Sequence, residues 1–179
     1  MKRTFLLSCL CCLIVFAAPA QDKHKNSYVA YLKELRKLYK GNIRVLNFDC
    51  NVPSGAMHSF FSADKNGKIS STAKNLHFVC KDERKVINEI ILDKKCYRNK
   101  SGYLVDGFGC FNPRMGFLFY SKDSTTLLAC IDICLECHSL EFRNYQKKGY
   151  YAISIFDYGL QQMSGLCKSL GLACCGKEN

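Results

Sequence analysis

Residues 115–134 read M-G-F-L-F-Y-S-K-D-S-T-T-L-L-A-C-I-D-I-C, two apolar runs on either side of a short polar turn. This pattern predicts a β-hairpin. If Tyr120 pairs with a residue near Thr126, one-for-one antiparallel pairing brings Cys110 opposite residue 136 or so. We therefore expect a small antiparallel sheet with the hairpin, taken as residues 115–137, at its centre.

The remaining elements follow from periodicity and from turn residues on both sides of this hairpin. Apolar residues at helical spacing predict helices over 28–40, 82–91 and 160–170. Alternating or β-branched runs predict strands over 43–48, 76–80 and 150–156, and Asn66-Gly67 predicts a hairpin turn. Antiparallel strands mixed with a few flanking helices predict the α+β class.

The first twenty residues have the pattern of a secretory signal peptide. A basic start (M-K-R) precedes an apolar run over 5–17 and the small-residue site A-P-A. Cleavage after Ala20 would leave residues 21–179 as a single α+β domain, exported to the periplasm or beyond the cell. No other stretch approaches the ~20 apolar residues of a membrane span, so we predict no transmembrane segment.

The predicted mature chain is basic. It keeps 24 Lys and Arg against 15 acidic residues, because the 26 of the whole chain include Lys2 and Arg3. This balance favours an anionic or protein partner. The charge is scattered rather than massed in one tract, which argues against sequence-specific recognition of nucleic acid.

The number of cysteines indicates how the fold is stabilised. Three of the 13 cysteines fall in the first twenty residues, which leaves an even set of ten. In an exported chain of this size, an even set predicts a disulfide framework. The candidates are Cys50, Cys80, Cys96, Cys110, Cys130, Cys134, Cys137, Cys167, Cys174 and Cys175. A bridge from Cys110 to Cys134 or Cys137 would close the open end of the hairpin.

The sequence C-L-E-C-H at residues 134–138 also permits three other kinds of site. It has the spacing of a c-type haem attachment motif, with His138 as one axial ligand and Met163 or Met115 as the other. It could be a redox dithiol, although no proline follows Cys137 as thioredoxin-like folds require. Zinc is a further alternative, with Cys110, Cys134, Cys137 and His138 as ligands.

Two segments, C-F-N-P-R at 110–114 and I-C-L-E-C at 133–137, resemble the signature of an uncharacterised family of small exported bacterial proteins. The resemblance covers roughly residues 85–140, with an echo at 167–172. It implies bacterial export with Gln21 as the mature start, and it carries no activity. Where the family has a histidine after the arginine, this chain has Met115.

The hairpin geometry places Arg114 close to Glu136, with Asn112 beside them. Arg114 either has a structural role, pairing with Glu136 or capping loop carbonyls, or holds an anionic ligand. Since the sequence contains no nucleophile elbow, P-loop or metalloprotease motif, it favours a disulfide-stabilised binding module without a cofactor over an enzyme. The alternative is a thiol-redox or metal protein built on Cys110, Cys134 and Cys137, with zinc or covalent haem.

Overall fold

The computed structural model describes residues 27–38, 40–48, 62–64, 66–70, 73–98, 111–173 and 175 of the 179-residue chain. Its helices are α1 (Ser27–Leu38), α2 (Lys81–Ile91) and α3 (Asp157–Ser169), with a short 3-10 helix at Lys94–Cys96. Its strands are β1 (Asn42–Phe48), β2 (Ala73–Phe78), β3 (Tyr97–Arg98), β4 (Met115–Tyr120), β5 (Leu127–Cys134), β6 (Ser139–Asn144) and β7 (Gly149–Ile155). The predicted α+β class is confirmed.

The strands form one antiparallel sheet in the order β2-β1-β4-β5-β6-β7-β3. The predicted hairpin is β4–β5, and it occupies the third and fourth places of the seven. Tyr120 pairs with Leu127 rather than with Thr126, and the register shifts between Phe119 and Tyr120. The hairpin is therefore central, and a bulge-like irregularity adjusts its register near the turn.

One face of the sheet carries the main core. Side chains such as Val45, Phe117, Ile131 and Phe142 lie on this face in adjacent strands. All three helices contribute buried residues to the same cluster. We call this the helix face of the sheet. Because successive strand residues point to opposite sides, the neighbouring residues of each strand form a second face.

The second face has its own, smaller apolar cluster. Leu46, Phe48, Leu118, Tyr120 and Cys130 are buried there, and Ile69 packs against them. Ile69 belongs to a short hairpin over 62–70, held by the Ala63–Ile69 bridge and by a turn at Gly67 with φ of 80°. The predicted turn at Asn66-Gly67 thus brings a small hairpin onto the second face of the sheet.

The sequence does not predict strand β6. The C-x-x-C-H motif is not followed by a helix: Cys134 ends β5, residues 135–138 form a turn, and β6 starts at Ser139. His138 supplies the positive φ of 50° that this turn contains. The motif is therefore the turn of a second hairpin, β5–β6. Within the part of the chain described here, no helix is long and apolar enough to cross a membrane.

Candidate functional site

The beginning of β4 and the end of β5 meet at one end of the sheet. Arg114 anchors this junction, since its backbone N–H donates to Ile133 O at 2.8 Å. Adjacent antiparallel strands necessarily bring the start of one beside the end of the other. The structure thus brings together Asn112, Arg114, Cys134, Glu136 and Cys137, a group that we call the cysteine corner.

Arg114 and Glu136 form an ion pair at this corner. Arg114 Nε donates to Glu136 Oε1 at 3.1 Å, and Nη2 donates to the same oxygen. The arginine side chain is only 12 % exposed, whereas the glutamate side chain is 50 % exposed. The mostly buried guanidinium is therefore paired with a carboxylate that is exposed to solvent. The expected proximity of Arg114 and Glu136 is found.

The sulfur of Cys134 lies behind this ion pair. It accepts backbone N–H groups from Asn112 at 3.4 Å and from Cys137 at 3.3 Å. Burial raises the pKa of the Cys134 thiol, and these N–H donors only partly oppose the effect. Cys134 is consequently a protonated thiol at neutral pH, which makes it a weak nucleophile.

Cys137 is disulfide-bonded. Cys134 is a thiol, so the predicted bridge from Cys110 to Cys134 is not formed. Cys110 itself lies outside the described residues, as do Cys50 and Cys174. A disulfide at Cys137 occupies the sulfur that zinc or a haem thioether would need.

The remaining described cysteines depart from a complete disulfide framework. Cys167 and Cys175 are bonded, with their Cα atoms 5.2 Å apart, but Cys80, Cys96 and Cys130 are thiols like Cys134. The sheet explains part of this difference. Cys96 is buried on the helix face and Cys130 on the second face, so the sheet lies between them.

The side chains suggested for metal or haem lie in different environments. Met115 and Met163 are buried in the core of the helix face, whereas His138 is exposed at the β5–β6 turn, 3.8 Å from Asp157. No group of three His, Cys, Asp or Glu side chains suited to a metal occurs among the described residues.

Sequence reasoning missed a buried acid on the second face. Asp132 alternates with Ile131 and Ile133, so it points away from the helix face, yet it is 0 % exposed. The backbone N–H of Ser62 donates to Asp132 Oδ1 at 3.0 Å, and the Ser62 hydroxyl donates to the same oxygen. Burial raises the pKa of Asp132 to about 7, although both bonds from Ser62 oppose the shift.

Gly116 makes this contact possible. It pairs with Asp132 in the β4–β5 ladder, and a Cβ at Gly116 would overlap Ser62 Oγ. Cys130, two residues before Asp132, lies 3.2 Å from the hydroxyl of Tyr145, which also donates to Ala63 O at 3.3 Å. These bonds fasten the 62–70 hairpin to the sheet. No local pattern signals the pairing of Ser62 with an acid 70 residues away.

The buried thiols can be checked by alkylation followed by peptide mapping. In the native protein we expect N-ethylmaleimide to modify exposed Cys80, and Cys96, Cys130 and Cys134 to react only after unfolding. Burial keeps the reagent away and raises the pKa of these three thiols, to about 11 for Cys96. Native labelling of Cys134 as fast as that of Cys80 would contradict this expectation and favour a reactive thiol.

The fold and the cysteine corner define a two-layer α+β protein. At one end of its sheet, the Arg114–Glu136 ion pair lies beside a disulfide-bonded cysteine, Cys137. Comparison with family models, with curated proteins and with solved structures gives no match for this chain.

Proposed function

We propose that this chain is an exported, disulfide-stabilised binding module that holds an anionic group of its partner at Arg114. The observation that carries the proposal is the ion pair itself: a guanidinium that is largely buried and oriented by the strand junction meets an exposed carboxylate. Glu136 then occupies the position that a carboxylate or phosphate of the partner would take. Such a planar, permanently charged fork suits either anion.

The chemistry of the corner supports binding over thiol catalysis. Cys134 is buried and its pKa is raised, so little thiolate is present at neutral pH. Cys137 is in a disulfide. A zinc site or a haem attachment would require both sulfurs to be free, and a redox site would require a reactive thiolate. The exposed group at the corner is Glu136, which an incoming anion can displace because a surface ion pair contributes only ~0–1 kcal/mol.

The proposal is tested by titrating inorganic phosphate, and then a glutamate-rich peptide, into ¹⁵N-labelled protein while the arginine Nε–H resonances are followed. We expect the Arg114 resonance to shift, and to shift at lower phosphate concentration in Glu136→Gln, because that variant lacks the internal competitor. Arg114→Ala should lose the response. Arg36→Ala is the matched control, since Arg36 is exposed on helix α1 and belongs to another part of the surface.

Stability is measured on the same variants. Arg114→Ala removes a side chain that is only 12 % exposed together with its ion pair, so it should lower the free energy of unfolding by roughly 0.5–3 kcal/mol. If Glu136→Gln leaves the titration unchanged, or if Arg114→Ala costs stability but no anion response, Arg114 is a structural residue and the proposed site is wrong.

A further inference from the structure

Among the described residues, the 62–70 hairpin covers the second face of the sheet over β1, β4 and β5, whereas second-face residues of β7 and β3 are exposed. The 62–70 hairpin packs on the covered part through Ile69 and Ser62. Beyond it, Tyr150, Ala152 and Arg98 are exposed. We call the second-face residues of these three strands, together with Phe156, the open face. Its members are Arg98, Ser139, Glu141, Arg143, Tyr150, Ala152, Ser154 and Phe156.

Two arginine–aromatic pairs stand at the ends of the open face. Arg143 lies over the ring of Tyr150 at 5.6 Å, and Arg98 lies over the ring of Phe156 at 4.7 Å. Both rings are exposed, Tyr150 by 55 % and Phe156 by 39 %. Exposed rings that stack with guanidinium groups present a flat surface and a positive charge at the same place.

The strand register sets the distance between the two pairs. Arg98 pairs with Ser154, which lies four residues after Tyr150 along β7. At about 3.3 Å per residue, the pairs are about 13 Å apart. Between them lie the small side chains Ser139, Ala152 and Ser154, together with Glu141, whose side chain is only 14 % exposed and is paired with Arg143. Because that carboxylate is mostly buried, an extended polymer can lie across both pairs.

The charge of the open face favours an anionic occupant. Its acid, Glu141, lies 3.6 Å from Arg143, and a hydrogen bond links it to the Tyr150 hydroxyl. Arg98 is exposed at the other end, and the whole chain carries a formal charge of +11. Because rings and guanidinium planes both stack on bases while arginines hold phosphates, this combination fits single-stranded nucleic acid better than a polyanion without planar rings.

We propose that the open face binds single-stranded nucleic acid without sequence preference. Tyr150 and Phe156 stack on bases, and the exposed Arg98 contacts phosphate, while Arg143 packs on the Tyr150 ring. Sequence independence follows from stacking, since every base has a π-face. This surface is separate from the Arg114 site, and the inference does not depend on the proposed function.

The test is fluorescence anisotropy of a labelled oligothymidylate titrated with the purified protein. We expect Arg98→Ala and Tyr150→Ser each to weaken binding about tenfold, the effect of losing one stacking or charged contact. Tyr150→Phe keeps the ring and loses only the hydroxyl bond to Glu141, so it should bind like the wild type. Arg36→Ala, an equal loss of charge on the exposed side of α1, is the matched control and should change affinity less than twofold.

The salt dependence of the affinity, and competition by heparin, distinguish the contribution of base stacking from that of charge. Arg98→Ala should reduce the slope of log affinity against log salt by about 0.7, the value for one phosphate contact on a single strand. Heparin should compete weakly, and its own binding should not respond to Tyr150→Ser. Absence of binding, equal losses in Arg36→Ala and Arg98→Ala, or an unchanged affinity in Tyr150→Ser would each overturn the proposal.

Discussion

The free energy of unfolding is expected to contain a contribution from Asp132 that falls by roughly 4 kcal/mol as the pH rises from about 4 to about 7. Asp132 is fully buried, and burial raises its pKa from 3.8 to about 7. In the unfolded chain the same carboxyl ionises near its ordinary pKa. At pH values between these two pKa values, Asp132 is therefore protonated in the folded protein and ionised in the unfolded chain.

The sign follows from this difference in protonation. Stability falls with rising pH wherever the folded state binds more protons, so the contribution is fully present below pH 4 and lost above about 7. At high pH the carboxylate stays folded beneath Ser62, and its two hydrogen bonds offset only part of the desolvation cost. Burial also raises the pKa of Glu141, so a variant is needed to isolate Asp132.

Asp132→Asn isolates the effect, because the amide keeps the size of the side chain and does not titrate. Urea unfolding at acid, intermediate and alkaline pH should show the stability of Asp132→Asn rising relative to the wild type as the pH increases. Asp157→Asn changes an exposed acid and should show no such trend. A difference between Asp132→Asn and wild type that is the same at every pH would contradict the assignment of the shift to burial.

The second large effect is expected at Gly159 in helix α3. A Cβ at this position would lie 2.5 Å from the carbonyl oxygen of Cys96, 2.7 Å from its Cβ and 2.8 Å from its Cα. Because two of these are backbone atoms, α3 would have to move away from the Lys94–Cys96 helix. Gly159→Ala should therefore destabilise the protein by about 1–3 kcal/mol, the usual cost of overpacking. Urea unfolding measures the change.

Gly165 in the same helix provides the matched control. A Cβ there has no other atom within 4 Å. Alanine is the better helix former, so Gly165→Ala should stabilise the protein by up to about 1 kcal/mol. The two identical substitutions, six residues apart, should thus change stability in opposite directions. Equal effects would show that α3 does not approach Cys96 as closely as the structure has it.

Much of the secondary structure is predictable because its signals are local. The apolar runs around the polar turn at 121–126 predict the β4–β5 hairpin, and helical periodicity predicts α1, α2 and α3. Strand β6 has a local signal too, because its residues alternate between the buried helix face and a partly exposed second face. That signal is obscured because the strand directly follows Cys137-His138, whose motif suggests a site rather than a turn.

The cysteine corner is predictable from the sequence because strand pairing determines which residues meet there. Once β4 and β5 are paired, Arg114 must lie near Glu136, and the ion pair is found. Which cysteines form disulfides is not predictable from the sequence. Whether a cysteine bonds depends on the position of a second sulfur in space, and sequence spacing does not reveal that the sheet separates Cys96 from Cys130.

The sequence by itself determined the three helices, most of the strands and the central hairpin, because hydrophobic period and turn residues act over a few neighbouring positions. Only the tertiary structure decided which exposed-looking residues are buried and which surface stays open. Asp132 has the alternation of a solvent-facing residue, yet the hairpin that begins at Ser62 covers it. Arg98 and Tyr150 share an open face because β3 and β6 both pair with β7. Burial and side-chain proximity depend on segments that are far apart in the chain, so local sequence patterns do not predict them.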